Sequence, residues 1–129
     1  MKQEKVGTEE KVFFDSYALF AIAIGQESYK PYIKIKIVTT IMNLYEMYYI
    51  LLQENHYLEA EIFFDKFLQN CILIEPHLVK EAAQFRMLHK KLKFSYVDAL
   101  GYICAKELGV PFLTGDDGFR NFEHVLFVK

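Results

Sequence analysis

The stretch that decides the fold runs from Phe94 to Phe119 and reads FSYVDALGYICAKELGVPFLTGDDGF. Ser95 and Asp98 form the S-x-x-D pattern of a helix-capping box, and Gly109 is typical of the residue that ends a helix. The apolar run VPFLT that follows this glycine predicts a buried strand. The stretch therefore predicts a helix, a strand and then a turn that presents two adjacent aspartates.

The rest of the chain repeats this alternation of helices and strands. Besides VPFLT, short apolar runs predict buried strands at residues 12–14, 71–74 and 125–128. Apolar residues at helical spacing predict further long helices at residues 37–54, 57–70 and 77–92, and Thr39 or Thr40 can cap the first of them. Strands that alternate with helices predict an α/β fold, with a mainly parallel central sheet flanked by helices on both faces.

Length and composition predict one globular domain. We expect residues 1–10, which are polar and charged, to form a flexible N-terminal tail, and residues 11–129 to form the domain. The N-terminus lacks the apolar segment of a signal peptide, and the longest apolar run is far shorter than the ~20 residues of a membrane span. We therefore expect a cytoplasmic protein with no membrane contact. The net charge of −2 gives no overall basicity of the kind that indicates a nucleic-acid binder.

Four acidic residues occur where the sequence is otherwise apolar: Asp15, Glu46, Asp98 and Asp116. A carboxylate beside buried surface is costly unless it is compensated, and Mg²⁺ or Mn²⁺, which prefer oxygen ligands, can compensate it. Each residue also has a structural alternative. Asp15 can cap a turn, Glu46 can lie on the polar side of its helix, Asp98 can complete the capping box, and Asp116 with Asp117 can cap a short helix. Because ligands of such folds bind at the carboxyl ends of the strands, the four acids together predict a metal site.

Several segments of the sequence resemble the PIN-domain family, which includes the VapC ribonuclease toxins. They are VFFDSYAL, NLYEMYY, the quoted stretch from Phe94 to Phe119 and the closing VLFVK. The order of the acids is similar too: an Asp after the first strand, a Glu in a helix, an Asp in a D-A-L helix and an Asp in a T-x-D turn. The resemblance implies a single PIN-like domain in which the catalytic, metal-binding carboxylates are Asp15, Glu46, Asp98 and Asp116.

The resemblance also implies supporting roles for two hydroxyl residues and leaves one acid open. Thr114 matches the hydroxyl residue of the T-x-D turn, and Ser16 matches a small hydroxyl residue that follows the first Asp. Asp117 departs from the family pattern, because a second acid after the turn leaves open which carboxylate faces the metal. We expect Asp116 to face it, while Asp117 caps the short helix or touches the metal through water.

The activity that the resemblance implies is hydrolysis of RNA phosphodiester bonds by an Mg²⁺- or Mn²⁺-dependent endoribonuclease. Such a protein would be the toxin of a VapBC-type pair, with an antitoxin protein as its partner. The alternative is a catalytically inactive PIN fold that binds RNA or protein without cutting. A third class, the haloacid-dehalogenase-type phosphatases, needs D-x-D after the first strand, where this chain reads DSY.

Two further groups of residues suggest binding surfaces. A basic cluster can hold RNA phosphates, or can simply be a solvated helix face: Arg86, Lys90, Lys91 and Lys93. The helices also carry more aromatic side chains than a core of this size needs, among them Tyr45, Tyr48, Tyr49, Phe63 and Phe64. This density predicts a homodimer interface or a surface for a partner segment, and the alternative is a core rich in phenylalanine.

Overall fold

The computed structural model describes residues 10–129, which contain five parallel strands and five α-helices. Apart from Glu10, the predicted N-terminal tail lies outside the described residues. The strands are β1 (Lys11–Phe14), β2 (Lys36–Thr40), β3 (Cys71–Ile72), β4 (Phe112–Thr114) and β5 (Val125–Phe127). The helices are α1 (Ser16–Ala23), α2 (Ile41–Gln53), α3 (Tyr57–Leu68), α4 (Pro76–Leu88) and α5 (Tyr96–Leu108). Short 3₁₀ turns lie at Glu27–Tyr32, Lys90–Leu92 and Asp117–Phe119.

The strand order is β3-β2-β1-β4-β5, so β1 lies at the centre of the sheet. Successive side chains of a strand point to opposite faces. Val12 and Phe14 accordingly pack with α1, α2 and α3, whereas Phe13 packs with α4 and α5. All three side chains are fully buried. The predicted class, a parallel sheet with helices on both faces, is therefore confirmed.

Pairing between β1 and β4 brings the candidate site together. The two strands are parallel neighbours, with Phe14 beside Leu113. The backbone N–H of Asp15 donates to the Leu113 carbonyl at 3.0 Å. Residues that follow these strands consequently emerge at the same edge of the sheet, which is the usual place for ligands in an open α/β sheet.

An aromatic cluster on the α4–α5 face fixes the turn after β4. Phe119 is fully buried and stacks on Phe94, with ring centroids 4.2 Å apart, and it meets Phe112 at 4.9 Å. Gly101 allows α5 to approach the sheet, because a Cβ there would lie 3.1 Å from the ring of Phe13. The turn that carries Asp116 is therefore anchored in the core.

The helix predicted at residues 37–54 is wrong at its start, where the structure has the strand β2. Residues 37–40 are Ile-Val-Thr-Thr, which are β-branched residues that favour strands. No Gly or Pro separates the strand from the helix, so the apolar pattern runs on without a break. Thr40 caps α2, as one of the two predicted alternatives, by accepting a hydrogen bond from the Asn43 N–H. Thr39 is buried in the strand, and its hydroxyl donates to the Phe14 carbonyl at 3.0 Å.

The buried strand predicted at residues 71–74 is also wrong in extent. β3 has only two residues, Cys71 and Ile72, and both are half-buried. Leu73 is 85% exposed. This strand lies at the edge of the sheet, and α4 begins soon afterwards at Pro76, so the apolar run has little room to pair or to be covered.

We expect Thr40→Ala to lower the free energy of unfolding by about 2 kcal/mol. The change removes the α2 cap, and it also leaves the buried Asn43 side chain without the hydrogen bond that the Thr40 hydroxyl donates at 2.6 Å. Urea unfolding monitored by circular dichroism measures the loss. Thr40→Ser keeps the hydroxyl and is the matched control, so equal destabilisation by both substitutions would contradict the assigned role.

Candidate active site

Asp15 is a buried carboxylate held between two strands. It follows β1 at the N-terminal boundary of α1 and is 2% exposed. Its Oδ2 accepts a hydrogen bond from the Thr114 hydroxyl at 2.7 Å. Its Oδ1 has no partner, the one such buried side-chain nitrogen or oxygen atom in the described part of the chain. Burial, and then the nearby charge of Asp98, raise the pKa of Asp15 well above its usual value.

The turn after β4 connects this carboxylate to Asp116. The Thr114 hydroxyl that donates to Asp15 also accepts from the Asp116 N–H at 3.1 Å. Oδ1 of Asp116 accepts from the Gly118 N–H at 3.0 Å, which caps the 3₁₀ turn. A Cβ at Gly115 would lie 2.3 Å from the Tyr17 ring and 2.6 Å from the Val128 carbonyl. Close packing therefore requires the glycine between Thr114 and Asp116.

Asp98 completes the capping box that its sequence position suggested, and it also lies at the pocket. Its Oδ2 accepts from the Ser95 N–H at 2.8 Å, and its own N–H donates to the Ser95 hydroxyl at 3.0 Å, so the capping box is confirmed. Asp98 also lines the pocket formed by the other acids. Burial first, and then the charges of Asp116 and Glu46, raise the pKa of Asp98 to about 6.

Glu46 reaches the site from α2, where it is half-buried. A polar network one turn earlier ties α2 to α1. The Asn43 amide donates to the Ser16 hydroxyl at 3.1 Å, and the Thr40 hydroxyl donates to the Asn43 side-chain oxygen. All three network residues are buried. The sequence reasoning missed Asn43, although an amide in an otherwise apolar helix start is a usable signal of a buried network.

One pocket of about 460 Å³ brings the predicted acids together. The residues around it come from the end of β1, α1, α2, α5, the turn after β4 and the C-terminal segment: Asp15, Ser16, Tyr17, Phe20, Glu46, Ile50, Asp98, Gly115, Asp116 and Lys129. The sequence reasoning missed the apolar wall and the lysine. Among residues 10–129, no three His, Cys, Asp or Glu side chains are grouped closely enough to hold a metal ion as they stand. The four acids therefore surround the pocket without converging on one point.

Asp117 is placed differently from its neighbour. It is exposed and is not one of the described residues that line the pocket. Its carboxylate accepts from Arg120 at 3.0 Å and forms a second ion pair with Lys129. Hydrogen bonds from Lys129 and Arg120 lower the pKa of Asp117. The two adjacent acids thus have separate partners.

The predicted basic cluster lies at the end of α4 and in the turn that follows, and its four residues are not among the described residues that line the acidic pocket. Arg86 donates from Nε to the Phe94 carbonyl at 2.7 Å, and its guanidinium lies 4.2 Å from the centre of the Tyr96 ring. Arg86 therefore braces the segment that leads into α5. Lys90, Lys91 and Lys93 are exposed. Their contact with RNA stays a prediction.

The aromatic residues of α2 and α3 divide between core and surface. Tyr48 and Phe64 pack edge to face with ring centroids 5.6 Å apart, beside the core. Tyr45 and Tyr49 are 64% and 57% exposed. The core therefore accounts for only part of the aromatic density, and the homodimer interface stays a prediction. None of the helices described for residues 10–129 has the length and apolar character needed to cross a membrane.

The fold of this chain matches the fold of several solved structures. A toxin–antitoxin complex from Klebsiella pneumoniae aligns with a TM-score of 0.69 at 15% identity, covering 89% of this chain and 95% of that one. VapC20 of Mycobacterium tuberculosis, a sarcin-ricin loop cleaving toxin, aligns with a TM-score of 0.68 at 15% identity, covering 80% and 86%. VapBC2 from Rickettsia felis, bound to a DNA fragment from its promoter, aligns with a TM-score of 0.69 at 15% identity, covering 92% and 99%.

A comparison of the sequence with curated proteins gives no significant match. A family model does match, and its description is PIN domain. The match extends from residue 12 to residue 125, which includes all four acids of the pocket. It confirms the resemblance found in the sequence. The chain belongs to the PIN-domain family.

Proposed function

We propose that the protein is a divalent-metal-dependent endoribonuclease and the toxin of a toxin–antitoxin pair. The observation that carries the proposal is the pocket lined by Asp15, Glu46, Asp98 and Asp116, in which a buried oxygen of Asp15 has no hydrogen-bond partner among the described residues. Membership of the PIN-domain family supports it. So does the shared fold with VapC20, whose description is a sarcin-ricin loop cleaving toxin.

The donors of the pocket suit Mg²⁺ or Mn²⁺. Carboxylate oxygens are the ligands these hard cations prefer, and the unpaired Oδ1 of Asp15 is a buried acceptor without a donor. Mg²⁺ keeps several of its waters and takes few direct carboxylates, so acids that surround the pocket without crowding fit a hydrated ion. A cation would also relieve the repulsion that helps to raise the pKa of Asp15 and Asp98.

Each acid has a role in the proposed reaction. Asp15, Asp98 and Asp116 would hold the ion directly or through water. Glu46 would be a further ligand, or would orient the attacking water as a general base. Thr114 fixes one oxygen of Asp15, and the capping box fixes one oxygen of Asp98. When bound, the ion would lower the pKa of a water and polarise the phosphate.

The proposed partners are an RNA substrate, an antitoxin protein and a second copy of the chain. The antitoxin is supported by the shared fold with the toxin–antitoxin complex from Klebsiella pneumoniae and with VapBC2. The second copy is supported by the exposed aromatic side chains of α2, Tyr45 and Tyr49. RNA contact by the exposed lysines after α4 is part of the same proposal.

Cleavage of a labelled RNA oligonucleotide tests the nuclease proposal. We expect cleavage with Mg²⁺ or Mn²⁺ and none in EDTA, and Asp15→Asn should lower the rate by about 10²-fold or more. The substitution removes a buried charge, so the protein should remain folded. Asp65→Asn changes an exposed acid of α3 and is the matched control. Full activity of Asp15→Asn would refute the proposal, and RNA binding without cleavage by the wild type would favour the inactive binding module.

The two adjacent acids should differ in their effect on cleavage. We expect Asp116→Asn to reduce the rate far more than Asp117→Asn, because only Asp116 lines the pocket. Initial rates of RNA cleavage at saturating Mn²⁺, compared for the two variants, measure the difference. The reverse ranking would show that Asp117 is the metal-facing acid.

Asp98→Asn should stabilise the metal-free protein at neutral pH. The pKa of Asp98 is raised to about 6 in the folded state, above the ~4 of an unfolded aspartate. Folding therefore favours the protonated carboxyl, and stability falls as the pH rises from ~4 through ~6. Asn cannot ionise and keeps an oxygen for the Ser95 N–H. In EDTA at about pH 7.5 we expect a gain on the order of 1 kcal/mol, after allowance for solvent screening.

Urea unfolding at two pH values measures this gain. The difference between Asp98→Asn and the wild type should disappear at about pH 3, below both pKa values, where the carboxyl is protonated in both states. Millimolar Mg²⁺ at about pH 7.5 should stabilise the wild type more than the variant. A variant that is less stable than the wild type in EDTA would count against charge repulsion at this site.

A further inference from the structure

We propose that Lys129 binds a phosphate of the RNA at the acidic pocket and that Asp117 positions it; this inference rests on the proposed function. Lys129 is the one basic side chain among the described residues that line the pocket. RNA must approach four acidic side chains, so a cation at the pocket would offset repulsion that a metal ion alone does not remove. Lysine is a compact charge that suits a phosphate oxygen.

The backbone around Lys129 is fixed from two sides. The Val128 N–H donates to the Thr114 carbonyl at 2.9 Å, which links it to the strand that supports Asp15. On the other side, the Tyr29 hydroxyl donates to the Val128 carbonyl at 2.6 Å, and the Ser28 hydroxyl donates to the Lys129 carbonyl at 3.1 Å. These bonds give the lysine backbone a defined position relative to the pocket.

The side chain of Lys129 is directed by Asp117. That carboxylate pairs with Lys129 and also with Arg120, whose guanidinium lies 4.2 Å from the centre of the Phe127 ring. One carboxylate therefore pairs with two cations, and the three side chains together carry a net positive charge. An ammonium has three N–H donors, so pairing with one carboxylate leaves donors for a phosphate. Lys129 and Asp117 have side chains 57% and 60% exposed, which leaves the cation accessible to RNA.

This arrangement gives Asp117 a function that differs from metal binding. A free lysine ammonium can bind a phosphate in many positions, whereas the ion pair with Asp117 restricts it to one position relative to the acids of the pocket, which orients the phosphate for reaction. Asp117 is then a positioning residue that acts through Lys129. The second acid of the turn serves the same reaction as the first, from outside the pocket.

Binding of RNA separates this inference from the nuclease proposal. In an Asp15→Asn background, which prevents cleavage, fluorescence anisotropy measures the Kd of a single-stranded RNA oligonucleotide over a range of salt concentrations. We expect Lys129→Gln to weaken binding about 3- to 10-fold and to reduce the salt slope by about 0.7, the loss of one phosphate contact. Lys80→Gln changes an exposed lysine of α4 outside the pocket and is the matched control. Equal Kd values and slopes for Lys129→Gln and Lys80→Gln would overturn the inference.

Cleavage kinetics in the otherwise unchanged protein test the role of Asp117. Asp117→Asn releases Lys129 without removing its charge, so kcat should fall several-fold while RNA affinity does not weaken. Asp117→Glu keeps the carboxylate and should recover part of kcat. An Asp117→Asn variant that weakens RNA binding and leaves kcat unchanged would overturn the positioning role. If the wild type binds RNA through Lys129 but never cleaves it, the nuclease proposal fails and the phosphate site stands.

Discussion

The hydrogen bond from Thr114 to Asp15 is the interaction on which the site depends. It joins the ends of β1 and β4, which are neighbours in the sheet, and holds a carboxylate where almost no solvent reaches. A buried carboxylate is costly unless its oxygens are bonded, and only one of the two oxygens of Asp15 has a donor within residues 10–129. This energetic cost is located at the edge of the sheet, where the other acids of the pocket also lie. An unpaired buried group that costs stability is the kind of local conflict expected at functional sites.

Polar contacts around the pocket hold the acids in place despite this energetic cost. The Thr114 hydroxyl donates a hydrogen bond to Asp15 and accepts one from the Asp116 N–H in the turn. One side chain therefore helps to position two of the four acids. The capping box of α5 holds Asp98 by bonds that any helix start could use. One residue can therefore cap a helix and present a carboxylate to the pocket at the same time. Asp98 caps its helix with one oxygen and still contributes its charge to the pocket.

Sequence reasoning succeeded where the signals were local. The capping box at Ser95, the end of α5 at Gly109 and the strand after it are set by residues close together in the chain. It failed where two elements meet without punctuation, as at Thr40, where a β-branched strand passes directly into a helix. The four pocket acids were predicted because each interrupts an apolar stretch. Lys129 was missed because its position depends on Ser28, about a hundred residues away in the sequence, and no local pattern reports that contact.

The adjacent acids after β4 illustrate why sequence spacing alone cannot assign roles. Asp116 precedes the 3₁₀ turn and caps it by accepting a hydrogen bond from the Gly118 N–H, and its carboxylate lies at the pocket. Asp117 is the first residue of the turn and faces Arg120 and Lys129 on the exposed side. Two adjacent positions thus differ in their partners: within residues 10–129 the Asp116 carboxylate has no cation partner, whereas the Asp117 carboxylate has two. In the proposed site the first carboxylate would hold a metal ion, whereas the second pairs with basic side chains, so the two acids would place cations on both sides of a bound phosphate.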